Sequence, residues 1–106
     1  VSALQTRHCR EQTVRLSDEE AAALLAELSD WQISDNRLHK LYRFKNYYAT
    51  MAFVNLVAWI AHRENHHPDL HVSFNTCKVA YTTHSVGGLS ENDFICAARI
   101  DAALAG

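Results

Sequence analysis

Apolar positions recur along this chain with two different periods. Ala21, Leu24, Leu25 and Leu28 repeat at helical spacing, and Ser17-Asp18-Glu19-Glu20 just before them has the form of a capping box. A first helix is predicted to start there. From Arg37 to Phe44 the pattern turns to alternation, with Leu38, Lys40, Tyr42 and Phe44 set against His39, Leu41 and Arg43. Trp31 to Ser34 precedes that run across Asp35-Asn36, a turn-forming pair, so the two segments read as a β-hairpin.

The stretch from Tyr47 into the pair His66-His67 is apolar nearly all round: Met51, Phe53, Val54, Leu56, Val57, Trp59 and Ile60. Such a helix needs cover on more than one side, so a partner subunit is expected. Pro68 is predicted to stop it, leaving His66 near the last turn and His67 just beyond. Leu70, Val72 and Phe74 then alternate with polar residues, as do Lys78 to Thr83, with a join near Asn75-Thr76. Gly87-Gly88 marks a turn, and Ser90-Glu91-Asn92-Asp93 resembles a second capping box. Cys96, Ala97, Ile100, Ala103 and Leu104 form the stripe of the last helix. The order α-β-β-α-β-β-α implies an α+β domain, an antiparallel sheet with its helices packed on one face. Trp59 and Phe74 are expected in the core. Residues 1–16 are mixed and polar and read as a flexible N-terminal arm, with one domain over 17–106.

Composition narrows the class. A chain of 106 residues suits one domain, and 48% hydrophobic with 21% charged residues is ordinary globular usage. Lys and Arg number 10 against 12 Asp and Glu, with no basic cluster, so nucleic-acid binding is not expected. The longest apolar stretch, 47–61, contains Thr50 and Asn55 and suits a buried helix better than a membrane span. Three cysteines without metal-type spacing, and no leader sequence, lead to the expectation of a reduced, cytoplasmic protein.

The chemistry lies in the histidines. Antiparallel pairing after Pro68 would return Thr83 and His84 toward the end of the second helix, bringing His66, His67 and His84 around one cleft. Imidazole exchanges protons near neutral pH, so such a trio reads as a proton-transfer site or a metal site. His62 and His66 lie four apart on a helix, and His84 could complete a three-His zinc set, the hydrolase alternative. Yet Glu64 stands mid-way between the two helical histidines, not directly after the first as the zincin motif requires, and no metal is expected. The plain alternative is a polar helix stop at His66-His67-Pro68. Asp93 also has a plain reading, as the capping partner of Ser90. His8, His39 and His71 are expected to be surface or satisfied residues.

His66-His67-Pro68, the pair Thr83-His84 and Gly88-Leu89-Ser90-x-x-Asp93 together resemble the pterin-4a-carbinolamine dehydratases. The likeness runs from about Trp31 to the end of the last helix. It implies a four-stranded antiparallel sheet with three helices on one face. It further implies removal of water from a 4a-hydroxytetrahydropterin to give the quinonoid dihydropterin, which recycles tetrahydrobiopterin after aromatic amino-acid hydroxylation. No cofactor is needed. On this resemblance His66, His67 and His84 are catalytic, Asn65, Pro68, Thr82, Thr83 and Ser85 bind substrate, and His62 and Asp93 support. Some members carry Glu where His62 stands, and an acidic residue where Asn65 stands. The resemblance also implies a homodimer or homotetramer, a functional link to an aromatic amino-acid hydroxylase and, as an alternative, a non-catalytic dimerisation role.

Overall fold

A computed structural model describes residues 3–105. Three helices and four strands follow one another as α1 (Asp18–Leu25), β1 (Gln32–Ser34), β2 (Arg37–Arg43), α2 (Tyr47–Glu64), β3 (Asp69–Val72), β4 (Thr76–Tyr81) and α3 (Glu91–Ala105). Short 3-10 turns cover Ala3–Thr6 and His84–Val86. The sheet is antiparallel throughout, in the order β1-β2-β4-β3.

The local signals explain most boundaries. Ser17 accepts from the Glu20 N–H while the Glu20 carboxylate accepts from the Ser17 N–H, so both halves of the capping box form. Asp35 and Asn36 both take positive φ, the conformation of a two-residue hairpin turn matched to strand twist. Asn46 caps α2 by accepting from the Ala49 N–H at 2.8 Å, a contact of about 1 kcal/mol.

Register sets the two faces of the sheet. Leu38 pairs with Tyr81, Lys40 with Val79 and Tyr42 with Cys77. Leu38, Tyr42, Cys77, Val79 and Tyr81 are buried against Phe53, Val57 and Ile60 of α2, Phe94, Ile95 and Ile100 of α3, and Ala21 of α1. The other face turns Leu41, Arg43, Lys78 and His71 to solvent. Asp101 of α3 ties the layers together, accepting from Trp31 Nε1 (2.7 Å), the Tyr42 hydroxyl (2.6 Å) and Lys40 Nζ (3.1 Å).

Three expectations need correction. Trp59 and Phe74 are 59% and 66% exposed rather than in the core. Trp59 lies under the Arg63 guanidinium on an outer face of α2, and Phe74 sits in the loop between β3 and β4. Ala103 and Leu104 are likewise exposed in the last turn of α3, past the buried residues Phe94 to Ala98, which include Cys96 and Ala97, and Ile100. The helix α2 ends at Glu64, before the histidine pair. Asn65 takes the left-handed conformation (φ 52°, ψ 43°), its N–H bonding to the His62 carbonyl while the His66 N–H returns to that of Ala61. These are the paired bonds of a Schellman stop, so Asn65 rather than Pro68 terminates the helix. In the segment before α1, Leu4 is buried and the Leu16 N–H donates to the Leu89 carbonyl at 2.8 Å.

Candidate active site

The Schellman stop turns the chain sharply at Asn65 and delivers His66 to the first turn of α3. His66 Nε2 lies 2.6 Å from Asp93 Oδ1, with the histidine side chain 12% exposed and the aspartate fully buried. The other carboxylate oxygen, Oδ2, accepts from the Thr83 hydroxyl at 2.8 Å and from the Ser90 N–H at 3.0 Å. Thr83 has one hydroxyl hydrogen and gives it to Asp93, so the Ser90 hydroxyl donates to Thr83 Oγ1 at 2.8 Å. Asp93 therefore does two things at once. One oxygen caps α3, where the helix dipole favours negative charge, and the other holds an imidazole.

A carboxylate can only accept, so Nε2 of His66 carries its hydrogen and Nδ1 is the nitrogen left to exchange a proton. The ring is fixed from a second side by Tyr81, stacked at 5.7 Å with planes 10° apart. One edge and one face are thus held, the preorganisation that proton transfer requires.

His67 and His84 are exposed. His84 follows Thr83, whose hydroxyl meets His66 on the same carboxylate, so Asp93 brings the helix-end histidine and the His84 segment together. The pairing of Asp69 with Ala80 sets Pro68 beside the end of β4, as the return of the strand required. Ser85 is exposed in the 3-10 turn with His84. Thr82 donates to the Asn36 carbonyl at 2.8 Å, bracing the β1–β2 turn. The Thr82 and Thr83 hydroxyls are both engaged within the protein, and Asn65 has a backbone role. His62 is exposed on α2. Among the described residues no group of three or more His, Cys, Asp or Glu side chains is arranged to hold a metal ion. His39 and His8 are engaged elsewhere, with Ser34 (2.8 Å) and Glu64 (3.1 Å), and His71 is exposed on β3.

Two neighbours of His66 carried no signal in the sequence. Tyr81 reads there as an ordinary strand aromatic. Glu64, one residue before the stop, is 3% exposed and accepts from the Cys9 N–H (2.7 Å) and from His8, with Arg99 Nε at 3.6 Å. Burial alone would raise its pKa, but the Cys9 and His8 hydrogen bonds and the Arg99 charge outweigh it and the net direction is down. A cavity of about 610 Å³ lies away from this cluster, beside Lys40, Tyr42 and Asp101, whose polar groups already satisfy one another.

Comparison with known proteins gives the family. Residues 14–103 match the family model for pterin 4 alpha carbinolamine dehydratase. A Nitrosomonas eutropha protein, named provisionally as a pterin-4-alpha-carbinolamine dehydratase, is 61% identical over 87 residues, 81% of this chain and 77% of that one. The crystal structure of a Brucella melitensis protein, named a transcriptional coactivator/pterin dehydratase, superposes with a TM-score of 0.79 at 29% identity, covering 83% of this chain and 96% of that one. A pterin dehydratase-like protein identified as a RuBisCO assembly factor in the α-carboxysome gives 0.56 at 25% identity, covering 68% and 83%. With 90 of its 106 residues inside the family model, the chain belongs to the pterin 4 alpha carbinolamine dehydratase family.

Proposed function

We propose that this protein is a hydro-lyase that dehydrates 4a-hydroxytetrahydropterins by histidine acid–base catalysis. The observation that carries the reading is the Asp93-anchored imidazole of His66, beside the His84 segment and next to His67. In the elimination the C4a–O bond breaks and the N5 lone pair forms the C4a=N5 double bond. The oxygen leaves as water after gaining a proton, and N5 loses its proton. His66, with Nδ1 free and a carboxylate behind Nε2, suits the base that takes the N5 proton. His84, exposed and unburdened by a buried carboxylate, suits the acid at the departing hydroxyl, while His67 positions the ring. Each such group contributes about 10²–10⁴-fold. The quinonoid dihydropterin released this way feeds the recycling of tetrahydrobiopterin, which links the protein to an aromatic amino-acid hydroxylase in the cytoplasm.

We also propose a homodimer or homotetramer. Tyr47, Tyr48 and Trp59 of α2 are 54%, 83% and 59% exposed, apolar surface that a partner subunit would cover. No helix among the described residues is long and apolar enough to cross a membrane. The likeness to an assembly factor supports a second reading, a binding protein without turnover. The deciding measurement is quinonoid dihydropterin formation from a 4a-hydroxytetrahydropterin, by purified protein after chelator treatment. Acceleration over buffer is expected, with His84→Gln lowering kcat about 10²-fold or more and His71→Gln leaving it unchanged. Folded protein that gives no acceleration would favour the binding reading. Activity lost with stoichiometric zinc would favour the hydrolase alternative.

A further inference from the structure

Two thiols 87 residues apart in the chain meet with their sulfurs 3.5 Å apart. Cys96 is buried on α3, one turn past Asp93, and Cys9 is half-buried on the segment that precedes α1. All three cysteines are free, and the third, Cys77, is buried on β4 outside this pair. The backbone around the pair is firmly held. The Arg10 N–H donates to Asn92 Oδ1 at 3.0 Å, and Asn92 Nδ2 donates back to the Arg10 carbonyl at 2.8 Å. Cys9 adds its N–H bond to Glu64, and Arg99 Nε donates to the Arg7 carbonyl at 2.8 Å. The Tyr81 hydroxyl is buried without a hydrogen-bond partner of ordinary geometry among the described residues, and it faces the Cys96 thiol.

The two sulfurs differ in what reaches them. The hydrogen bond with Cys9, followed by burial, pushes the Cys96 thiol well above its usual pKa, so Cys96 stays protonated. Cys9 is the member that solvent reaches. An oxidant therefore meets Cys9 first, with the Cys96 sulfur already in contact to close on it.

We propose that Cys9 and Cys96 form a redox-active pair, oxidised by hydrogen peroxide to an intramolecular disulfide that ties the N-terminal segment to α3. The Cys9 sulfur attacks one peroxide oxygen, the O–O bond breaks, and one water leaves Cys9 as a sulfenic acid. The Cys96 sulfur then attacks the Cys9 sulfur and the S–O bond breaks. The hydroxyl departs with the Cys96 proton as a second water. Two thiols are oxidised by two electrons in total, and the peroxide takes up both. The Cys9 thiol gives up its contact with the Asn92 carbonyl as the bond forms. In a reducing cytoplasm such a bond is transient and oxidant-dependent, the usual form of cytosolic disulfide. The chemistry of the pair does not rest on the pterin reaction.

The test treats reduced, full-length protein with a modest excess of hydrogen peroxide under native conditions. Thiols are then counted after unfolding and the product is mapped by mass spectrometry. The count is expected to fall from three to one, with an intact mass lower by about 2 Da for the two hydrogens lost. Positions 9 and 96 should appear in one linked peptide, with Cys77 still free. The Tm should rise on the order of 5 °C and return with reductant. Cys9→Ser, a conservative change at the half-buried member, should keep the fold and abolish both the linked peptide and the Tm rise. Cys96→Ala should do the same. An unchanged thiol count, oxygen addition without the cross-link, a bond through Cys77 or a bond between two chains would each overturn the pairing. A linked product no more stable than the reduced protein would overturn the tying role.

Discussion

Asp93→Asn is the sharpest perturbation available at this site. It conserves shape and removes charge from a side chain that is fully buried and whose acceptors are all in use. Asn offers one acceptor and one NH2 group. The acceptor can serve the Thr83 hydroxyl and the Ser90 N–H, so the cap largely survives. The NH2 group then faces His66 Nε2 at the position where Oδ1 stood. A donor there forces Nε2 to become an acceptor and moves the ring hydrogen to Nδ1. The nitrogen meant to take a proton is now already protonated. Loss of one acid–base group is worth about 10²–10⁴-fold, or roughly 3–5 kcal/mol in the barrier. The cost to stability should be smaller, about 1–3 kcal/mol, since the bonds to His66, Thr83 and Ser90 lose their charge while the packing is kept. The assay is kcat/KM for quinonoid dihydropterin formation, paired with thermal unfolding. Nitrogen chemical shifts of the imidazole provide a direct reading of the tautomer. Retention of kcat/KM within about threefold, in a variant whose His66 tautomer has demonstrably switched, would refute the assignment of Nδ1 as the reacting atom.

Other consequences can be measured alongside. Asn65→Gly should leave activity near wild type, because Gly adopts the left-handed conformation freely. Asn65→Ala should cost about 1–2 kcal/mol and lower the Tm by several degrees, and equal loss of activity in both variants would point to substrate contact by the Asn65 side chain instead. The Glu64 carboxyl sits below its ordinary value of 4.5, so its contribution is present above the unfolded-state pKa and vanishes as pH falls through the lower folded-state value. Glu64→Gln should therefore be less stable than wild type near neutral pH, with the gap closing in acid, and a gap independent of pH would contradict the ion-pair reading. Sedimentation equilibrium should give a mass that is a multiple of the 12.0 kDa chain, and a monomer at working concentration would contradict assembly through α2.

Much of the fold was legible because its punctuation is local. The reciprocal box at Ser17 and Glu20 and the turn at Asp35-Asn36 each need only four neighbouring residues to be read. The end of α2 misled for a physical reason. Proline is a conspicuous stop signal, whereas an asparagine entering the left-handed region leaves no periodic trace. Burial was the other weak point, since apolar character does not say which residues of an all-round apolar helix face water, and Trp59 does. At the site, the His-His-Pro run and the Thr-His pair were visible as motifs. Asp93 could be read either as a cap or as a support, and its carboxylate bonds both the Ser90 N–H and the His66 ring. What the sequence did not reveal is long-range. Glu64 meets Cys9 across 55 positions, and Cys9 meets Cys96 across 87. No local pattern encodes such meetings.

The link between α2 and β3 is only four residues long, Asn65 to Pro68, and both of its ends are pinned. Asn65 is fixed by the helix stop, and Asp69 by its register opposite Ala80. The spacing of this segment is therefore constrained more tightly than its composition. An added residue would either pull His66 off the Asp93 carboxylate or slide β3 by one position, exchanging its two faces. Insertions and deletions within the family should thus be excluded from this four-residue link.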